Sequence, residues 1–212
     1  MNNFRFSFDF TVLILLTFFS VRSFLNANAA YQSDKIETMV EIPGAELIKT
    51  GDVILLEGNS FVSSVFRNFS LREKKYSHAG IAVLEGQEVF VIHMEAGKGR
   101  GILKEKLRHY CSEIENRSYA IYRAGLNEQQ IQTLLGRIKH YVSIQPMFDL
   151  EFNLDTDDKM YCTEFIYKVF NEAAGDPNFI TLSSVSGSRY VACDDIQLNS
   201  GFRKIYSHSY LN

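Results

Sequence analysis

The chain has 212 residues, 46% of them hydrophobic, which is enough for one domain with a real core. A formal net charge of −3 supplies no basic footprint, so nucleic-acid binding is excluded as its main task. No internal repeat and no second folded domain are visible.

Residues 1–29 read as an export signal. Arg5 precedes the apolar run Phe10 to Val21, which is too short to span a bilayer unaided, and Ala27-Asn28-Ala29 supplies a small-x-small cleavage pattern. Asp9 beside that run and Arg22 before the cleavage site keep an uncleaved N-terminal membrane anchor as the alternative. No cysteine lies near the processing site, which argues against a lipoprotein. The expected location is therefore outside the cytoplasm, periplasmic or extracellular, with membrane or cell-envelope association as an open alternative.

Residues 30–46 form a polar lead-in, expected to be extended and loosely ordered, with Pro43-Gly44 as punctuation. The domain proper is expected over 47–212. Gly51-Asp52 turns into Val53-Ile54-Leu55-Leu56, a short buried strand bounded by Gly58. Asn59 or Ser60 then caps a helix whose Phe61, Val62, Val65, Phe66 and Phe69 share one face. Core packing is the expectation for that stripe; flooring an apolar substrate groove is the alternative. Arg67, Arg72, Lys74 and Lys75 follow as a solvated basic face, or as contacts for an anionic substrate group.

Two strands come next. His78 stands at the entrance of the first, Ala79 to Leu84, where a sheet edge would hold an imidazole and leave it reachable as a general base. The second, Glu88 to Ala96, places His93 and Glu95 two apart, on the face shared by Val89 and Val91. Gly97 to Gly101 reads as a glycine-rich turn, since it lacks a phosphate loop's ending and its strand-to-helix setting. Leu103 to Arg108 is a short polar segment, and Ser118 to Arg123 a further strand. Asn127 and Gln130 make a capping box for a helix burying Ile131, Leu134, Leu135, Ile138 and Val142, and Pro146 ends it.

An acidic loop holding Asp149, Glu151, Asp155, Asp157 and Asp158 lacks the spacing and central glycine of a calcium-binding hand, and is expected to be solvated. Beyond it Tyr161, Phe165, Ile166, Val169, Phe170 and Ala173 repeat at helical spacing, and Gly175 with Pro177 stops the helix. Cys162 falls in its first turn. Free backbone N–H groups and the positive end of the macrodipole there should lower the thiol pKa and make a nucleophile. A buried, inert cysteine is the bland alternative. Cys111 and Cys193 are the other cysteines, a disulfide pair if the protein is exported or two buried thiols. Residues 190–193 and 202–206 suggest one or two closing strands, and 183–188 carry little pattern.

The ordered set Gly51-Asp52-Val53-Ile54, Ser77-His78-Ala79-Gly80-Ile81, Glu95-Ala96 and Tyr161-Cys162-Thr163-Glu164 resembles the YiiX/YebB-like group of the NlpC superfamily. These are circularly permuted papain-like cysteine hydrolases, related to lecithin retinol acyltransferase. The resemblance spans about residues 47–170 and implies an α+β fold in which an antiparallel sheet packs against the helix bearing the nucleophile. It also implies Cys162 as nucleophile, His78 as base and Glu95 as the group orienting the imidazole, with His93 as the alternate third member. An aspartate shortly before the cysteine in such proteins points to Asp149 as a brace of its loop. The Cys162 N–H is the expected oxyanion donor, and Tyr161 either assists it or packs.

The expected function is an exported thiol hydrolase, an amidase or peptidase cleaving an amide bond in cell-wall peptide. The alternatives are a lipid acyl hydrolase or acyltransferase, and a non-catalytic binding module. The partner is a peptide- or acyl-containing substrate; no cofactor and no metal site are expected.

Overall fold

The computed structural model describes residues 41–96 and 101–210. The export signal, most of the lead-in and most of the Gly97–Gly101 turn lie outside the described residues. Among the described residues no helix is long and apolar enough to cross a membrane.

Ten strands and five helices are present in this part of the chain. Strand β1 (Val53–Gly58) is buried along nearly its whole length and runs down the middle of a six-stranded sheet. Its neighbours are β2 (His78–Glu85) and β5 (Asn116–Ala124), both antiparallel. Outward on one side follow β3 (Glu88–Met94) and β4 (Ile102–Lys106); on the other lies β10 (Phe202–Ser209). A continuous apolar run such as Val53 to Leu56 is what a strand covered on both faces requires. Val53 and Leu55 join the larger core cluster, Ile54 and Leu56 the smaller one on the opposite face.

The larger core is closed by α3 (Glu128–Ile144) and α4 (Cys162–Ala174). In α3 the expected capping box forms, with Asn127 accepting from Gln130 N at 2.9 Å. The buried stripe is Leu134, Ile138 and Tyr141, and Val142 is exposed, because the helix turns its aromatic rather than its valine to the sheet near its end. Helix α4 is buried almost all round and ends at Gly175 in the left-handed conformation, φ 68°, where glycine meets no steric penalty. The smaller core holds α2 (Leu107–Tyr110) and the end of the lead-in. There Ile42 is buried and a 3₁₀ turn spans Ala45–Leu47, so this part of the lead-in is docked and not loose. Asp52 explains the Gly51-Asp52 step: its buried carboxylate takes both arms of Arg123 at 2.7 Å and ties the start of β1 to β5.

Three other expectations change. Residues 102–106 pair with β3 as an edge strand, although three of the five are charged; Lys104–Glu85 and Lys106–Glu88 ion pairs hold their side chains across the sheet. Residues 183–190 form a small hairpin, β8 (Ser183–Val185) with β9 (Ser188–Tyr190), and Cys193 starts helix α5 (Cys193–Gln197) instead of a strand. Helix α1 (Phe61–Arg67), capped by Ser60, leaves Phe61 84%, Val62 58% and Val65 46% exposed, so its stripe is not core. All three cysteines are free; Cys111 lies in the smaller core and Cys193 in the larger, on opposite faces of the sheet.

Candidate active site

Two short pairings bring Cys162 to its place. Strand β6 (Met147–Phe148) pairs in parallel with β7 (Lys159–Met160), closing the acidic loop between them. Asp149 is buried and accepts Glu151 N at 2.8 Å and Asn153 N at 2.6 Å, holding the loop's first turn. Tyr161 caps α4, and its N–H donates to Glu164 at 3.2 Å. Its hydroxyl accepts from Val191 N at 2.9 Å, while Thr163 Oγ1 donates to Val191 O at 2.7 Å. Residue 191 is thus stitched to both sides of Cys162, and the Tyr161 hydroxyl is engaged in packing the helix start.

Cys162 is the first residue of α4, as its spacing implied. Backbone N–H groups of Ala79, Thr163 and Cys162 favour its thiolate, yet burial outweighs them and pushes the thiol up to about 11. The expected fall in pKa does not occur. Burial of this helix start costs the charged form more than three amides return.

The Ala79 contact places the sulfur against the residue that follows His78. His78 opens β2, and its Nε2 stands 2.9 Å from His93 Nδ1 on the neighbouring strand. Burial first, and then His93, lower the His78 pKa to about 3, so the ring is neutral. Glu95 Oε2 lies 3.9 Å from His93 Nδ1, and one donor atom each from His78, His93 and Glu95 fall within 4.8 Å of one another. Both candidates for the third role are therefore at the site, with His93 in hydrogen-bond reach of His78.

Sequence reasoning missed three contributors. Glu105 on β4 faces His93 Nε2 at 3.3 Å, a contact outside hydrogen-bond geometry. Tyr110 packs its ring against both histidines, centroids 5.7 and 4.9 Å away. Gly80, paired with His93, makes this possible: a Cβ there would lie 2.9 Å from the Tyr110 hydroxyl and 2.5 Å from Val91. A signal for Gly80 existed in its position inside a strand, where glycine marks close approach; Glu105 and Tyr110 carried none, since neither β4 nor the short helix α2 was legible. The donor cluster was also unforeseen, because it forms across the β2–β3 register.

Cys162, His78, His93 and Glu95 line one cavity of about 540 Å³. Glu105 and Glu115 add carboxylates to its wall, and Leu56, Val62, Phe66 and Phe148 form an apolar side. The volume suits a small ligand. Of the basic residues upstream, Arg67 donates to Gly58 O at 2.8 Å and Arg72 pairs with Asp194 and Asp195, and neither lines the cavity.

Residues 47–186 match the model of the permuted papain-like amidase family of YaeF and YiiX, family C92. The chain belongs to that family. It is 28% identical over 143 residues to the uncharacterized protein YiiX of Escherichia coli K12, covering 66% of this chain and 66% of that relative's length. It is also similar to the crystal structure of the metalloprotein YiiX from Escherichia coli O157:H7, with a TM-score of 0.62 and 19% identity over 76% of this chain and 98% of that one. The fold is thus the permuted papain-like α+β fold implied by the ordered motifs, and the family is one of papain-like amidases.

Proposed function

We propose that the protein is a thiol amidase in which Cys162 is the nucleophile and His78 its general base. The observation behind this reading is that a cysteine at a helix N-terminus, its sulfur against the Ala79 N–H, shares a cavity with the adjacent histidine. Thiol and imidazole are both neutral at rest, so the proton moves during attack. His78 Nε2 is engaged by His93, which leaves Nδ1 to take the thiol proton. The sulfur bonds to the substrate carbonyl carbon, the Cys162 N–H faces the developing oxyanion, and the imidazolium returns its proton to the departing amine. Water, deprotonated by the same ring, then cleaves the thioester and frees the acid. His93 and Glu95 together hold and orient the base.

Carboxylates on one cavity wall favour a substrate with a free amino group near the scissile amide, which a peptide of the cell wall provides. The export pattern of residues 1–29 agrees with that location. The apolar wall and the exposed Phe61, Val62 and Val65 support a second reading, an acyl ester or amide whose chain lies along α1. The crystallised relative is a metalloprotein, and here His78, His93 and Glu95 offer a nitrogen- and oxygen-donor set suited to a divalent ion. Such an ion, when bound, would draw on the lone pairs of the two imidazoles and the carboxylate.

The deciding experiment is a panel of peptide amides and acyl esters assayed by mass spectrometry with wild type, Cys162→Ala and His78→Ala. Hydrolysis that disappears in both variants supports the reading; hydrolysis retained by Cys162→Ala refutes it and leaves a ligand-binding role for the cavity.

A further inference from the structure

We propose that His78 Nε2, His93 Nδ1 and a Glu95 carboxylate oxygen bind one divalent ion of the zinc class, and that the bound ion holds the enzyme inactive by fixing the tautomer of His78. The inhibitory half rests on the reading of His78 as general base; the binding half does not.

The donor atoms already lie within 4.8 Å of one another, with separations of 2.9 Å between the histidines and 3.9 Å from His93 to Glu95. Two ligand atoms on a tetrahedral zinc, each about 2.0–2.1 Å from the metal, stand about 3.3 Å apart, a value these two distances bracket. The third separation, from His78 to Glu95, is bounded by 4.8 Å, so the Glu95 side chain has to move in by up to about 1.5 Å to close the site. Both histidines sit on paired strands and against one tyrosine ring, so the nitrogens are held by rigid elements. Two imidazoles and one carboxylate around an accessible cavity make an open, three-ligand site.

Tautomers give the site its consequence. Glu105 can only accept, and it faces His93 Nε2 at 3.3 Å, so it favours the hydrogen on that nitrogen and the lone pair on Nδ1. A carboxylate behind a ligating histidine is the usual support of a metal site. With the His93 hydrogen so placed, the 2.9 Å contact has His78 Nε2–H donating to the His93 Nδ1 lone pair when no ion is bound, and on the proposed mechanism His78 Nδ1 keeps the lone pair that takes the thiol proton. With Nε2 of His78 given to a metal, the neutral ring must carry its hydrogen on Nδ1. His78 then has no lone pair for Cys162. The same two histidines that prepare the base can thus withdraw it, and no residue has to leave its strand.

The test uses the full chain, stripped of metal by a chelator and returned to Zn²⁺. Equilibrium dialysis with elemental analysis should find one Zn²⁺ per chain, bound about 10–100-fold more weakly in Glu105→Gln and at least as much more weakly in Glu95→Gln. These two near-isosteric variants avoid the misfolding that truncating the buried His93 would risk. Cys162→Ser should keep its Zn²⁺. Long-range proton–nitrogen NMR of histidine-labelled protein should show His78 pass from the Nε2–H to the Nδ1–H form as Zn²⁺ is added. Hydrolysis by wild type should fall in step with occupancy and return with chelator. No stoichiometric Zn²⁺, or affinity unchanged in Glu95→Gln, overturns the site. Binding without the tautomer change overturns the inhibition. Either failure leaves Cys162-dependent hydrolysis by the metal-free protein untouched, so it is distinct from failure of the amidase reading.

Discussion

Helices α1 and α4 carry the same sequence pattern and meet opposite fates. Each repeats aromatic and branched apolar residues at helical spacing, yet Phe165 of α4 is wholly buried while Phe61 of α1 is 84% exposed. The difference lies in what each helix follows. Helix α4 emerges from the β6–β7 pairing straight onto the sheet and is clamped by residue 191; α1 is a two-turn excursion between β1 and β2 beside the cavity. Periodicity reports that residues share a face. It does not report whether anything covers that face. The buried helix carries the proposed nucleophile and the exposed one lines the cavity.

That division of labour can be broken at several points. The largest effect is expected at the start of α4: Cys162→Ala should lower amide turnover by a factor on the order of 10³ or more, as loss of a nucleophile does, with folding unchanged by circular dichroism. Within the same helix, Phe165→Ala should cost about 3–5 kcal/mol in urea unfolding, through lost burial and the cavity left behind. A value near zero would mean that α4 is not the core element described here.

A third effect depends on pH. Burial, opposed by the 3.0 Å pair with Lys168, raises the Glu164 pKa from 4.5 to about 7. Because the folded-state pKa is the higher one, its contribution is fully present below pH 4.5 and is lost as pH rises through 7. Melting temperature followed across that range should therefore decline less in Glu164→Gln than in wild type. The smallest effect belongs to α1: Phe61→Ala should change stability by no more than about 0.5 kcal/mol. If a chain of the substrate lies along α1, the same variant raises KM for long acyl substrates and spares short ones.

Much of this was legible from residues alone, for reasons that also mark where legibility ended. Strands β1, β2 and β5 and helices α3 and α4 have strong apolar periods and clear caps, so their positions followed directly. The edge strand β4 did not, because Lys104, Glu105 and Lys106 are stabilised by partners on other strands that no local pattern reveals. Alternation put His93 and Glu95 on one face. Only the register, Gly80 opposite His93, sets His93 beside His78 at 2.9 Å. The thiol pKa went the other way from expectation since the dipole is local and visible in sequence, whereas burial is a property of the assembled fold. A helix N-terminus proposes a nucleophile, and tertiary packing decides its resting state.

The most direct measurement is the rate of alkylation of each cysteine by limiting iodoacetamide, located by peptide mapping, across pH 7 to 10. Cys162 lines the cavity, and its backbone donors leave its thiol less raised than that of Cys111, which burial and then the Glu105 charge push far up, or that of Cys193. The account predicts that Cys162 is labelled first at every pH, with a rate rising about tenfold per unit as the thiolate fraction grows. Labelling of Cys111 or Cys193 as fast as Cys162, or no labelling of Cys162 at all, would contradict the claim that this cysteine is the accessible nucleophile of the cavity.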